Sequence, residues 1–429
     1  MKHFLLLITA FFATTGLLSQ TSLNNAYSRL GIGLIEAPGS VNHFGMGGLN
    51  SFQFEANAVN LYNPASYANL SKVVFQIAGK GNFSTISNSS TSTKYNGGQV
   101  QEIAMGFKKG GSKWGFAFGL TPYSSVGYSV TSTAMVNDST QVIYKNDGSG
   151  GLNKFTLGAS RNFRLYKLPK GDTTLVGTAK FAADQRLKEK RDSLEYVSSK
   201  LNIGVNFNVL FGSLNNVRKV EYDNTRYFGT RATSKTSIND IAFDAGFQYR
   251  KPIHLKWDDK KVVASTYLMA GGSYQLATNL RAKYDDIGEM YIYSNGVDAL
   301  VDTSYIVTAQ NGSFELPERI SLGVGLMHIG SEGRVLTYGL EFRTQDWSKF
   351  SGTFQEELGA QSLGRYTYIG AGVEFTPNAG ENSNLLGRTT YRLGARNTQT
   401  YINVNGSNDC SAGCVCRFLN ADLRKSHIE

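Results

Sequence analysis

Few residues in this chain are typed and spaced for covalent chemistry. The five histidines, His3, His43, His254, His328 and His427, fall in no metal-ligand spacing such as H-E-x-x-H. Neither a G-x-S-x-G elbow nor a Gly-Lys-Ser/Thr phosphate loop occurs. All three cysteines, Cys410, Cys414 and Cys416, lie in one C-x3-C-x-C cluster, which matches no common zinc pattern and for which His427 is a poor fourth ligand. A hydrolase could still gather its residues from separate strands. The residues nevertheless favour a protein that is not an enzyme and carries no metal and no cofactor.

The informative chemistry is electrostatic. A net charge of +10 invites a nucleic-acid reading, but the basic residues are scattered. The densest run, Arg186 to Arg191, is interleaved with Glu189 and followed by Asp192 and Glu195, as in a solvated loop. Strand alternation places Glu102, Asp244, Arg319, Glu341, Arg343 and Glu374 on an inward face. A buried charge is costly unless paired, so charges of both signs there read as a fixed network tying parts of the fold together rather than as a substrate site.

The elements that would hold such a network are strands. In Trp114-Gly115-Phe116-Ala117-Phe118-Gly119-Leu120 the even positions are large and apolar and the odd ones small. Leu201, Ile203, Val205, Phe207, Val209 and Phe211 face away from Asn202, Gly204, Asn206 and Asn208, and the period returns over 241–249, 320–326 and 336–343. Alternation alone fits a soluble sandwich as well as a membrane barrel. The second face decides, because it is rich in Gly, Ala, Ser and Asn rather than Lys and Glu, as expected where side chains crowd into a lumen. With 47 Gly, 23 Tyr and 25 Phe and no linker that would divide the chain, one continuous all-β barrel is expected.

The ends depart from this pattern. Lys2 and His3 lead into the apolar run Phe4 to Leu18 and then polar Ser19-Gln20, the layout of a cleavable secretory signal over residues 1–19. Residues 20–70 have no sustained period; they contain Gly45, Gly47 and Gly48 in FGMGGL and turn on Asn63-Pro64-Ala65. Pro64 fixes its own backbone and biases Asn63 away from helix, while the Asn63 side chain can cap nearby donors. The segment is either a packed irregular unit or an ordinary surface turn. After Ser407 alternation stops, so 408–429 is expected to be an aberrant tail outside a barrel of residues 71–407, with closing strands missing. Within the strands, Thr121-Pro122-Tyr123 stands out, because Pro122 removes a ladder donor and marks a bulge or a local opening.

Taken in order, FGMGGLNSFQFEANAVNLYNPASYANL, GLTPYSSVGY (Gly119 to Tyr128), LPERISLGVGL (Leu316 to Leu326) and DWSKF (Asp346 to Phe350) resemble the FadL/TodX-type outer-membrane transporters of hydrophobic compounds. The resemblance implies a transmembrane antiparallel β-barrel of roughly 14 strands in the cell outer membrane, with residues 20–70 as a hatch plugging the lumen. It further implies passive uptake of hydrophobic small molecules and a lateral exit at the third wall strand, near Thr121, Pro122 and Tyr123; a harmless bulge outside the bilayer is the alternative there. PorV-type barrels of the type IX secretion system share this fold, so a structural or secretion-accessory role stands as the second reading. Expected partners are outer-membrane lipid, a hydrophobic ligand, the barrel-assembly machinery and secretion components, and no nucleic acid.

Overall fold

The computed structural model describes residues 25–36, 39–87, 92–137, 140–165, 180–181, 183–185, 198–223, 227–258, 261–294, 297–354, 363–378, 383–404 and 407–419. The expected signal segment 1–19 lies outside them. β1 (Leu34–Ile35) belongs to the N-terminal segment. The wall starts with β2 (Val74–Ser87), β3 (Ser92–Phe107), β4 (Trp114–Asn137), β5 (Thr140–Arg164), β6 (Lys200–Tyr222) and β7 (Gly229–Asp258). It continues with β8 (Lys261–Gln275), β9 (Thr278–Ser294), β10 (Val297–Leu316), β11 (Arg319–Ile329), β12 (Val335–Asp346), β13 (Arg365–Thr376), β14 (Thr390–Val404) and β15 (Ser407–Leu419).

Hydrogen bonding orders the wall β2-β3-β4-β5-β6-β7-β8-β11-β12-β13-β14-β15. β9 and β10 lengthen this wall rather than widen it. β7 pairs with β8 up to Asp244–Gln275 and then with β9 from Ile238–Ala282, so β8 and β9 follow one line. β10 and β11 follow the next, interrupted at Pro317-Glu318, where proline has no N–H for the ladder. The fourteen strands β2 to β15 therefore occupy twelve wall positions. Strands β4 to β7 together with β9 and β10 also project beyond the shorter β11 to β13, making one side of the barrel taller.

The outer face of β6 shows where lipid ends. Ile203, Val205, Phe207 and Phe211 are exposed, with Val205 59% exposed although apolar. With Leu201 on the same face, residues 201–211 at about 3.3 Å per residue reach roughly 33 Å along the strand, enough for a tilted crossing of an apolar band about 25 Å tall. Farther along, the same odd positions carry Lys219 and Glu221, which pair with Asp298 at 2.7 Å and Lys145 at 2.6 Å. Such charges belong beyond hydrocarbon. Phe118 on β4, Phe243 on β7, Leu322 on β11, Leu340 on β12, Ile369 on β13 and Leu393 on β14 continue the exposed apolar belt around the wall.

The C-terminus corrects one sequence expectation. Residues 408–419 are not a tail outside the barrel: β15 pairs antiparallel with β14, with Thr390 opposite Leu419 and Gln399 opposite Cys410. The open edge of β14 offers backbone donors and acceptors that a strand can meet without alternating side chains. Among the described residues no ladder joins β15 to β2, and residues 420–429 lie outside the description.

The belt predicts a depth-dependent response to charge. Val205→Arg should cost about 2–4 kcal/mol and lower the folded fraction in lipid vesicles. Ile306→Arg, at an equally exposed site on the projecting β10, should change it little. Equal losses at the two positions would place lipid against the projection as well.

Candidate functional site

The described residues of the irregular segment, 25–36 and 39–70, pack against the inner face of the wall as a plug. Asn63, Pro64 and Ala65 are buried, and Pro64–Asn69 forms a 3-10 helix with proline in its first turn. Asn63 Oδ1 accepts from Ala65 N at 3.1 Å, while its Nδ2 donates to Ser51 O at 2.7 Å and to Phe247 O of β7 at 3.2 Å. The predicted cap is thus also a tether to the wall. The other half of the segment turns through Val41–Phe44 and Gly45. Gly47 and Gly48 follow with φ of 73° and 97°, the left-handed region that glycine enters without steric cost.

Two features of the wall hold this plug. Inward glycines let its backbone approach closely: a Cβ at Gly115, Gly204, Gly246, Gly271, Gly372 or Gly394 would overlap plug residues Tyr67, Pro64, Asn63, Ser51, Met46 and Gly47 respectively. Around them, polar side chains satisfy backbone groups that an irregular segment leaves unpaired. Glu341 Oε2 accepts from Asn50 N at 2.5 Å and Ser51 N at 2.8 Å, and its Oε1 accepts from Arg343 Nε at 2.6 Å. Arg343 donates to Gly48 O and stacks 4.1 Å over the Tyr368 ring, whose hydroxyl donates to Gly47 O at 2.6 Å. Across the lumen, Gln248 Nε2 donates to Gln53 O at 2.9 Å and Asn206 Nδ2 to Leu61 O at 3.0 Å.

The other sequence-selected charges do different work. Glu102 accepts from Gln76 at 2.9 Å, and Gln76 also donates to Ser40 of the plug at 2.8 Å. Asp244 accepts from Asn208 at 2.8 Å and lies 3.9 Å from Lys154, which sits over the plug's Tyr62 ring. Glu374 pairs with Arg392 of the neighbouring strand at 2.6 Å and joins wall to wall. Arg319 lies apart from these pairs and lines a cavity of about 190 Å³. Sequence reasoning did not single out Glu36, Asn206, Gln248 or Tyr368. Asn206 and Gln248 were visible as inward polar positions, but nothing local marked them as plug ligands.

A seam opens beside the plug. β3 pairs with β4 only from Phe107–Phe116 to Ile103–Leu120. Just beyond, the register between β4 and β5 shifts between Pro122 and Ser124, so Tyr123 is the extra residue of a bulge. The bulge switches the inward parity from Ala117 and Thr121 to Ser124, Val126 and Tyr128, all buried. On the edge that β3 leaves, β1 of the plug pairs Leu34 with Ser125 and Ile35 with Ser124. Glu36 N adds a bond to Tyr123 O at 3.0 Å and Asn25 N one to Gly127 O at 2.7 Å. The Glu36 carboxylate takes Lys80 at 3.0 Å, Gln99 at 2.8 Å and Ser125 at 3.2 Å, joining β2, β3 and β4 where their ladder is incomplete. A concavity of about 400 Å³ lies at Pro122, Ser124, Gly150, Gly151 and Gly212.

These contacts predict how the plug fails. Glu341→Leu strands the Arg343 guanidinium, 2% exposed, and should cost about 3–5 kcal/mol in detergent unfolding; adding Arg343→Met should recover part of that loss. Asn63→Ala should cost about 1–3 kcal/mol and raise entry of an apolar antibiotic into cells. Unaltered stability and entry would remove Asn63 from the seal.

The transport unit of the autotransporter AIDA-I from Escherichia coli, a solved structure, aligns with 81% of this chain and 90% of its own at 9% identity, with a TM-score of 0.21. No curated protein matches the sequence. The BamG family model matches residues 1–167 and 193–413, and the chain belongs to the BamG family.

Proposed function

We propose that this chain is a non-enzymatic outer-membrane barrel that serves the barrel-assembly machinery as an accessory subunit, with its lumen sealed. The carrying observation is the plug, whose backbone is bonded to the wall on opposite sides, through Glu341, Arg343 and Tyr368 on one and Asn206 and Gln248 on the other. A barrel held shut in this way is suited to present its wall and its projecting strands to other proteins. Membership of the BamG family supports the link to barrel assembly. Gentle extraction from outer membranes should bring the protein out with a barrel-assembly component, and the purified barrel should be electrically silent in planar bilayers. A lone conducting barrel, with normal insertion of other barrels in cells that lack it, would sink this reading.

One observation favours a second reading, passive uptake of hydrophobic small molecules. The β3–β4 ladder stops at Leu120 and the bulge and concavity follow at once, an arrangement suited to lateral release into lipid. Under that reading Pro122→Val, which restores a ladder donor, should lower uptake of a hydrophobic probe while stability is kept or raised. Uptake equal to the parent would remove this strand from any transport route.

A further inference from the structure

Arg319 is a buried cation of the lumen with no ion pair among the described residues, and of the buried anions only Glu102 likewise has none there. Glu341 has Arg343, Asp244 has Lys154, Glu36 has Lys80 and Glu374 has Arg392. Arg319 is 6% exposed, yet among the described residues it makes no ion pair and no hydrogen bond. A guanidinium withdrawn from bulk water without an anion is costly. It borders the cavity of about 190 Å³, as does Arg396 of β14, which likewise has no partner among the described residues.

The remaining walls say what could share the space with these cations. Trp347, Tyr366 and Tyr401 supply aromatic surface, and Leu34 and Ile35 of the plug an aliphatic floor. Glu36 also reaches the cavity, but Lys80, Gln99 and Ser125 already occupy its carboxylate oxygens. Arg343 is committed to Glu341. Arg319 and Arg396 thus border a chamber whose remaining lining is mainly aromatic and aliphatic, with Gln345, Thr398 and Thr400 as its uncharged polar members; pockets for drug-sized ligands usually start near 300 Å³.

We propose that this cavity binds a small organic acid, a carboxylate carried on an apolar body of about one ring. The carboxylate meets Arg319 and Arg396, whose forked donors suit two oxygens. The body lies against Trp347 and Tyr401. This site is independent of whether the barrel serves assembly or uptake.

The test uses the full-length barrel in detergent with benzoate, benzyl alcohol and inorganic phosphate as probes, followed by calorimetry and thermal unfolding. Benzoate should bind and raise the unfolding temperature, whereas benzyl alcohol, which lacks the charge, and phosphate, which lacks the ring, should bind at least roughly tenfold more weakly. Arg319→Met and Arg396→Met should each weaken benzoate by roughly tenfold or more, and Arg319→Lys should retain part of the affinity. Arg319→Met should unfold no lower than the parent without ligand, because it removes an unpaired charge. Benzoate affinity unchanged in both methionine variants, or equal binding of benzyl alcohol or phosphate, would overturn the proposal. Should Arg319→Met fail to fold, Arg396→Met alone decides.

Discussion

An irregular backbone buried inside a barrel must find a partner for every amide and carbonyl it brings, and here the wall supplies those partners. Water cannot do so where the plug presses on wall glycines. The acceptors for Asn50 and Ser51 N–H therefore come from Glu341, and donors for the carbonyls of Gly47, Gly48, Gln53 and Leu61 come from Tyr368, Arg343, Gln248 and Asn206. An unmet buried backbone group costs about as much as the bond it lacks, so the inward polar residues are as necessary to this plug as a strand neighbour is to a strand. The glycines are the steric half of the same constraint, since they bring the two surfaces within hydrogen-bond reach.

The seam follows from how the wall treats its own backbone. β4 leaves β3 after Leu120, and the edge so created is met by two residues of β1 and by Glu36 and Asn25 N–H. A bulge at Tyr123 re-aims the strand, so that Val126 and Tyr128 fall on the inside. One proline-bearing tripeptide thus changes both which face of β4 sees the lumen and which element closes its edge.

Much of the wall was legible in the sequence, because a period of two with one apolar and one small face leaves few alternatives. The same arithmetic placed Glu341 and Arg343 inward, and the Asn63-Pro64 step suggested a capped turn. What could not be read was pairing at a distance. Nothing near Asn206 or Gln248 distinguishes a plug ligand from an ordinary lumen residue, and Glu36 sits in a segment with no period at all. Nor does the period of two show that β8 and β9, and likewise β10 and β11, each follow one line in the wall. The stretch after Ser407 lacked side-chain alternation and so read as a tail, although backbone pairing with β14 asks for none.

The bond from Tyr368 to Gly47 spans 321 residues, and those from Glu341 to Asn50 and Ser51 span 291 and 290. The plug is near the beginning of the chain, but strands near its end hold it in place. Closing such loops carries an entropic cost before any contact repays it, and topologies rich in distant contacts fold slowly. The stretch from Gly47 to Ser51 therefore lacks these bonds until β12 and β13 arrive. During that interval its glycine turns and polar backbone are presented to whatever protein guides the chain to the membrane, so the time to fold is written into the order of the chain.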